Sequence, residues 1–560
     1  MERRVLLAVT LSFLVLFAYQ SLVVKPKQSA GRTAKPLPAA AAAAPAPAAG
    51  VTAETPASPT SGEPAEGQPA ALVGDPAERD VVVESAEIRA VFTTRGAELK
   101  SWTLKKYLDD SRRPVDLVPA GSPPSEPRGF ALRTSDDALN RRLRSALYRP
   151  SAAALAVGPE GRQLTFEFRD DSGLEVRKTF EFAADGQPYV VALTAVVRRA
   201  GSPVEVSVDS GPGLGDLGRS AGSGSFLSPN YYQKPEGILH RDGKVSRLPA
   251  AKLVEQPQQD GQFRYVGVDD HYFLNVLLPG DEPARVRYDV VPVAMPQGAN
   301  QLVAYEASLD GALDRVRFYL GPKEFDILAA TDRELVRAIN FGIFAWLVVP
   351  LLRSLNWVDG FVGNYGWSII LLTIAINAVM FPLRHKSVVS MRKMQALQPE
   401  VKAIQDRYAK LKATDPARQK MNQEVMDLYR QRGVNPASGC VPMLLTFPVL
   451  FAFYSLLSQA IELRGAPFVG WIQDLSRHDP WYVTPLLMGA TMVWQQRITP
   501  STADPTQQKV MMFMPILFTF MFLWAPSGLV IYWFVSNLWA IGQQYATNYL
   551  IGPMPARAAK

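Results

Sequence analysis

Neutral polar side chains, set at helical spacing inside long apolar runs, are the residues of this sequence best placed to do chemistry. Thr373 and Asn377 stand four apart and share one face of any helix drawn through them. Thr446, Tyr454, Ser455, Ser458 and Gln459 lie within and just after a second apolar run. Thr491, Gln495 and Gln496 sit in a third, and Tyr532, Ser536, Asn537, Gln543 and Gln544 in the last. Hydroxyls and amides of this kind hydrogen-bond and hydrate; they do not by themselves break bonds. Within a membrane they either tie helices together or line a wetted cavity. Any one of them is readily explained as interhelical bonding. Their recurrence on nearly every apolar run favours a shared hydrophilic cavity for the set.

Other chemistries have little support. The single cysteine, Cys440, excludes an internal disulfide and a CxxC metal or redox site. The four histidines, His240, His271, His385 and His478, form no HExxH, and no GxGxxG, GxxxxGKS or GxSxG is present. Asp269, Asp270 and His271 are the one convergent set that a hydrolytic or sugar-processing site would use. A small-solute transporter would need internal repeats and a buried ion site, and the apolar runs carry no carboxylate. The expectation is a chain that is not an enzyme, with no cofactor, no metal and no nucleic-acid substrate.

The elements that hold the polar row are legible from pattern. Residues 1–24 pair Arg3 and Arg4 with an apolar run that nearly reaches the ~20 residues needed to span a bilayer, and read as an uncleaved signal anchor. Residues 25–78 are Ala, Pro, Gly and Ser, a composition that buries no core and serves as a tether. Residues 79–325 alternate apolar and polar side chains in short runs, such as 163–169, 174–182, 189–197, 284–291 and 302–309. Turn pairs such as Asp260-Gly261 and Pro279-Gly280 separate them, which indicates a large antiparallel β-sandwich. Residues 211–226 are expected to form a long surface loop.

Beyond residue 340 the chain is apolar and helical, with candidate spans at 365–383, 441–461, 481–496, 510–524 and 529–545. Residues 384–434 between the first two are rich in Lys and Arg. Apolar residues recur there at helical spacing, including Met391, Met394, Met421 and Met426, on either side of Asp415-Pro416. Two amphipathic helices forming an antiparallel hairpin follow, and the flexible methionines suit contact with varied partners. The run at 510–524 rises only ~22 Å, less than the ~30 Å hydrocarbon core, and would thin the bilayer locally.

Charge parity orients these elements. Arg3 and Arg4 keep the N-terminus inside, so the β-domain lies outside. A span at 339–352 would then put the basic hairpin outside as well, and Pro350 interrupts it. Residues 337–355, within a segment at 326–358, are therefore expected to lie flat on the outer leaflet, with Arg337, Asn340, Arg353 and Asn356 facing water. Six spans result: the anchor and five in an insertion core at 359–550. Both termini, including the tail at 551–560, lie in the cytoplasm.

The stretch NPASGCVPMLLTFPVLFAFY at 435–454 resembles the signature of the YidC family of membrane protein insertases, in its Asn-Pro, its Gly-Cys-x-Pro and its later Pro and Tyr. Supporting runs are Phe361-Val362-Gly363-Asn364, Leu397-Gln398-Pro399, Glu462-Leu463-Arg464, Ala466-Pro467-Phe468, Gln507-Gln508-Lys509 and Pro526-Ser527-Gly528-Leu529, with a weaker match at Thr94-Arg95-Gly96. The resemblance implies a multi-pass α-helical protein of the bacterial inner membrane, with a periplasmic β-supersandwich domain and a cytoplasmic helical hairpin. It implies a hydrophilic groove open to cytoplasm and lipid, through which newly made membrane proteins enter the bilayer, with or without the Sec translocon. Ribosome or targeting-factor contact and lipid contact are implied too. Groove residues carried over by position are Thr446, where the family usually has Gln, and Tyr532 with Trp533, where it has a Tyr-Tyr pair. The family's groove arginine is replaced by Asn377, and Arg497 lies too near the interface to take its place. An arginine introduced at 377 would face the wet cavity and be tolerated.

Overall fold

The computed structural model describes residues 69–109, 111–119, 127–183, 186–214, 233–295, 298–408, 417–433, 441–499 and 505–551. The expected anchor, the tether up to residue 68, most of the 211–226 loop, the Asp415-Pro416 joint and the C-terminal tail lie outside them.

Period-two patterning produces the β-domain. Strand Leu174–Phe182 alternates buried and solvent-facing residues along its whole length, as a strand with one covered face must. It lies in an eleven-stranded sheet whose main order is Ala71–Val73, Arg162–Asp170, Leu174–Phe182, Val190–Arg199, Leu313–Pro322, Phe273–Leu278, Tyr265–Asp269, Glu236–Arg241 and Lys244–Leu248. The edge strand Ala71–Val73 pairs with Asp170 and Arg169, so ordered structure begins within the segment expected to be tether.

Two five-stranded sheets pack against the large one. From one, Phe92 sets its ring 4.7 Å from Phe180, and the Trp102 indole donates to the Leu320 carbonyl at 3.0 Å. From the other, Tyr288 donates to the carbonyl of Gly267 at 3.0 Å and Tyr305 to Asn275 at 3.3 Å. Among the described residues pairing is antiparallel except where Asp80–Glu84 runs parallel to Ala154–Ala156. Asp260-Gly261, expected as a turn, lies within strand Gln258–Gln262, where Gly261 takes φ +145°.

One lysine is fully inside this core. Lys178 Nζ donates to the carbonyls of Gly96, Ala97 and Phe130 at 2.8, 3.1 and 2.8 Å. Burial pulls its ammonium well below the usual lysine range, with Glu98 opposing. The positive φ of Gly96 (+69°) and Ala97 (+48°) turns those carbonyls toward it, which gives the Thr94-Arg95-Gly96 run a structural role.

Short helices α1 (Asp137–Ser145), α2 (Ala250–Glu255) and α3 (Phe325–Thr331) decorate the sheets. The helical region comprises α4 (Ala345–Val362), α5 (Tyr365–Ala396), α6 (Gln398–Arg407), α7 (Ala417–Gln431), α8 (Val441–Gln459), α9 (Val483–Ile498), α10 (Pro505–Met521) and α11 (Ser527–Ile551). Among the described residues α5 is the one helix long and apolar enough to cross a membrane, with shorter apolar helices at Phe447–Gln459 and Met511–Trp524.

Two boundaries differ from expectation. The helix expected from 337 begins at Ala345, because a 3-10 turn at Leu335–Ala338 and Gly342 at φ +65° interrupt the chain. Helix α4 buries Val348, Leu351, Leu352 and Leu355 and exposes Trp346, Trp357 and Phe361. Arg353 stacks on the Phe325 ring, and Asn356 accepts from Tyr365 at 3.4 Å. Helix α5 runs unbroken through Pro382 for 32 residues, about 48 Å at 1.5 Å per residue. Met391 and Met394 therefore lie on α5, and the hairpin proper is α6 and α7. Arg432 pairs with Glu400 at 3.0 Å, and Tyr408 donates to Glu424 at 2.6 Å. This crossed order makes the two helices antiparallel. Met421 is half-buried there and Met426 exposed.

Candidate functional site

The polar row on α5 is built one turn at a time. Thr373 Oγ1 donates to the Ile369 carbonyl at 2.6 Å, so its hydroxyl is satisfied within the helix. Asn377 Nδ2 donates to the Thr373 carbonyl at 2.8 Å, which leaves Oδ1 to face outward. Arg384 Nη1 donates to that oxygen at 2.8 Å. Side chains on a helix lean toward its N-terminus, so Arg384 reaches back along α5 from two turns away. Thr373 and Asn377 are buried, and Arg384 is half-buried. Among the described residues Arg384 makes no ion pair with a carboxylate.

Tyr532 of α11 is close enough to Arg384 to interact with it electrostatically. Its ring stacks on Phe453 of α8, with centroids 4.4 Å apart and planes 6° apart. Three helices thus meet at one polar point. Further along α11, Trp539 Nε1 and Gln543 Oε1 are buried without hydrogen-bond partners among the described residues, a state usually relieved by water. The far end of the α5–α11 seam is bonded. Gln543 Nε2 donates to the Phe381 carbonyl at 3.3 Å, His385 meets Thr547 at 3.1 Å, and Arg392 donates to Asn548.

The other expected cavity residues do not join this point. Asn537 bonds across to α9, donating to the Met488 carbonyl at 3.4 Å and to Thr491 at 3.3 Å. Trp533 packs on Phe522 and Phe518 at 4.9 and 5.9 Å. Tyr454 is exposed, and Ser458 donates to its carbonyl at 2.6 Å. Gln459 and Gln495 are half-buried. The side chain of Thr446 lies outside the described residues, as do Cys440 and the Asn435-Pro436 pair.

A second assembly clasps the helices to the β-domain. His271 Nε2 meets the Ser458 carbonyl at the end of α8 at 2.7 Å. The Arg464 guanidinium lies 5.3 Å from the Tyr272 ring centroid and 4.9 Å from that of Phe273, and donates to the Leu108 carbonyl at 3.0 Å. Asp269 is paired with Lys323 at 3.1 Å and Arg247 at 3.3 Å. Asp270 accepts from the amides of Tyr272 and Phe273 at 2.8 and 2.7 Å. The set Asp269, Asp270 and His271 is thereby engaged in holding structure.

Of the quoted family runs, Glu462-Leu463-Arg464 joins this clasp through Arg464, and three others tie the helical region to itself. Asn364 caps α5 by accepting from the Trp367 amide, and its Nδ2 donates to the carbonyls of Pro467 and Phe468 at 3.2 Å. Phe468 then covers Gly366, where a Cβ would lie 2.1 Å from its ring. The amides of Ser527 and Gly528 donate to the carbonyls of Arg477 and Leu475 at 2.6 and 2.9 Å. Burial, with Glu324 and Asp326 adding to it, pushes the Glu462 carboxyl up to about 7. Burial also pushes Asp479 up, but hydrogen bonds from Thr484, Trp481 and Trp471 outweigh it and hold that carboxyl below the usual range.

Arg384 is the residue that pattern reading assigned elsewhere, to the start of the basic hairpin. The signal was present: 373, 377 and 384 are four and seven apart and share one helix face.

The chain resembles known proteins along its length. A family model described as "60Kd inner membrane protein" matches residues 357–553, and one described as "YidC periplasmic domain" matches residues 80–354. The membrane protein insertase YidC of Geobacter sulfurreducens is 37% identical over 482 residues, covering 83% of this chain and 85% of that protein. Its counterpart in Geobacter metallireducens is 36% identical over 577 residues, covering 100% of both. A crystal structure of an active YidC insertase aligns over 84% of this chain and 93% of its own, with 16% identity and a TM-score of 0.34.

Proposed function

This chain belongs to the YidC family of membrane protein insertases, and from that premise we propose that insertion runs along the polar face of α5 where it meets α8 and α11. It is an inner-membrane protein with a periplasmic domain of β-sheets and a helical C-terminal region. The observation that carries the proposal is the row Thr373–Asn377–Arg384, turned inward on the long apolar helix α5 and met there by Tyr532. An unsatisfied peptide group in hydrocarbon costs several kcal/mol. A row of hydroxyl, amide and guanidinium groups replaces part of the water that a polar segment gives up on entering lipid, so its crossing is faster. The hydrophobic segment of the substrate then slides along apolar helix faces and partitions into the bilayer.

The finer topology belongs to the same proposal. Helix α5 and helices α8 to α11 span, together with residues 1–24. Helix α4 lies at the outer interface with Trp346, Trp357 and Phe361 toward lipid, a position suited to aromatic side chains. The α6–α7 hairpin and both termini are cytoplasmic. The substrates are newly made membrane proteins, delivered alone or from the Sec translocon or ribosome, and no catalytic chemistry is involved.

The test is insertion of a single-span substrate with a neutral, polar translocated tail into vesicles carrying the purified chain. Thr373→Val/Asn377→Leu should lower the rate at least tenfold while leaving a substrate without a polar tail unaffected. Equal rates for the parent and this variant on the polar tail would overturn the assignment of the groove.

A further inference from the structure

We propose that the loop at 466–482 is a membrane anchor: its stacked Trp471–Trp481 pair seats on the phospholipids of the outer leaflet and sets the depth of the helices around the polar row. This rests on the spanning arrangement proposed above, which puts the loop on the periplasmic side. Three helices are tied to this one loop at their first turns. Asn364, the cap of α5, donates to the carbonyls of Pro467 and Phe468 at 3.2 Å. Asp479 accepts from the amide and the hydroxyl of Thr484, in the first turn of α9, at 2.8 and 2.9 Å. The amides of Ser527 and Gly528, at the start of α11, donate to the carbonyls of Arg477 and Leu475 at 2.6 and 2.9 Å. The outer ends of α5, α9 and α11 therefore share one level, and whatever holds the loop holds all three.

The loop presents an apolar ledge at that level. The Trp471 and Trp481 rings stack with centroids 5.0 Å apart and planes 18° apart. Asp479 builds the stack, accepting from the Trp471 indole and the Trp481 amide, each at 2.9 Å. Trp481 is 65% exposed and Val469 52% exposed. Trp367, in the first turn of α5, is exposed too and sets its ring 5.5 Å from Phe468. A rigid, exposed aromatic patch beside spanning helices marks a membrane contact, and Trp is favoured where water meets hydrocarbon. The charges of the loop are compensated within it and do not oppose that seat. Arg477 pairs with Asp474 at 3.8 Å. Burial, with Arg477 adding to it, pulls His478 below the usual histidine range, so the ring is neutral at pH 7. Asp479 is buried beneath its four hydrogen bonds. The ledge also continues the interface proposed for α4, whose Trp357 and Phe361 are exposed with rings 5.0 Å apart. The occupant is therefore a lipid surface, contacted through its headgroup and upper acyl region.

A level fixed at the ledge is felt at the polar row. Asn377 follows Tyr365, the first residue of α5, by 12 residues. That is ~18 Å at 1.5 Å per residue, past the middle of a ~30 Å hydrocarbon core. Lifting the loop out of the lipid would carry α5, α9 and α11 outward together and bring the row toward the bilayer centre.

The experiment uses the full chain in phosphatidylcholine vesicles, with Cys440→Ser and a fluorophore attached through Val469→Cys. Lipid carrying a nitroxide high on the acyl chain should quench this label about twofold more than lipid carrying one near the chain end, as a depth of ~5–10 Å requires. Iodide in the buffer should quench it weakly. A label attached instead through Val379→Cys, two residues beyond Asn377, should be quenched most by the chain-end nitroxide, which reports the spanning of α5 separately. Trp481→Lys and Asp479→Ala should each lose the upper-chain quenching at 469, and Trp481→Phe, which keeps an apolar ring, should retain it. Trp481→Lys should also raise the ratio of chain-end to upper-chain quenching at 379, because α5 moves outward. Strong iodide quenching at 469 without lipid quenching, while 379 is still reached by the chain-end nitroxide, would overturn the anchor and leave the spanning helices standing. An unchanged ratio at 379 in Trp481→Lys would overturn the setting of depth. Protection of 469 that appears only as protein density rises would mean a second copy on the ledge and would overturn the lipid assignment. No lipid quenching at 379 in the parent would overturn the spanning arrangement and the anchor with it.

Discussion

Arg464→Ala tests whether the periplasmic domain and the helices form one mechanical body. The guanidinium faces two rings, 5.3 Å from Tyr272 and 4.9 Å from Phe273, and donates to Leu108 at 3.0 Å. A cation–π contact contributes ~1 kcal/mol, and a hydrogen bond from a charged donor ~2 kcal/mol. The three contacts together give about 4 kcal/mol, and relaxation around the truncated side chain brings the expected loss to ~3 kcal/mol, or roughly a hundredfold in the equilibrium for opening the clasp. Arg464→Lys keeps the charge without the planar fork and should lose about half of that. Hydrogen exchange on the full chain reads the opening directly. Amides at 105–109, 271–275 and 458–464 should exchange about a hundredfold faster in Arg464→Ala, while the remote strand Leu174–Phe182 is unchanged. An acceleration below about threefold would refute the clasp and restore a freely tethered β-domain.

Close helix contacts make a second test. A Cβ at Gly366 would fall 2.1 Å from the Phe468 ring, and one at Gly489 2.0 Å from Thr519 Oγ1, whereas Gly360 meets nothing within 4 Å. Alanine at Gly366 or Gly489 should destabilise by ~1–3 kcal/mol, seen as a lower melting midpoint in detergent, and Gly360→Ala should not; similar midpoints for all three would contradict the packing. A third test concerns pH. The Glu462 carboxyl titrates near 7 when folded, against an ordinary 4.5. Between those values the folded chain holds a proton that the unfolded chain has released, so stability falls as pH rises from 4.5 through 7. Glu462→Gln should raise the melting midpoint at pH 8 and lose that advantage toward pH 4.5; a gain independent of pH would show that the carboxyl is not buried as described.

Much of the fold was legible because its segments obey simple periods. Leu174–Phe182 shows strict alternation, and the observed strand has the expected ends. The strand Tyr265–Asp269 escaped notice because all five residues are buried, and a strand covered on both faces has no alternation to read. Asp260-Gly261 carried turn chemistry, but Asp260 and Gly261 pair in register with Arg285 and Ala284, so tertiary pairing overrode local preference. The start of α4 was set too early by charge parity and amphipathic pattern, which cannot register the break at Gly342. Thr373 and Asn377 were visible as a polar pair. Arg384 was not, because a charge beside a basic segment looks like part of it. Its reach back to Asn377 depends on side-chain direction rather than on composition.

The most direct measurement is site-specific photocrosslinking from Tyr532 during insertion of a substrate arrested with its polar tail in transit. Tyr532 faces the α5 polar row, and Val379, 79% exposed on another face of α5, serves as the reference position. A photoreactive side chain replacing Tyr532 should form adducts with the tail that disappear when insertion completes, while the same group replacing Val379 should not label the tail. Tail adducts at Val379 with none at Tyr532 would contradict passage along the polar face of α5.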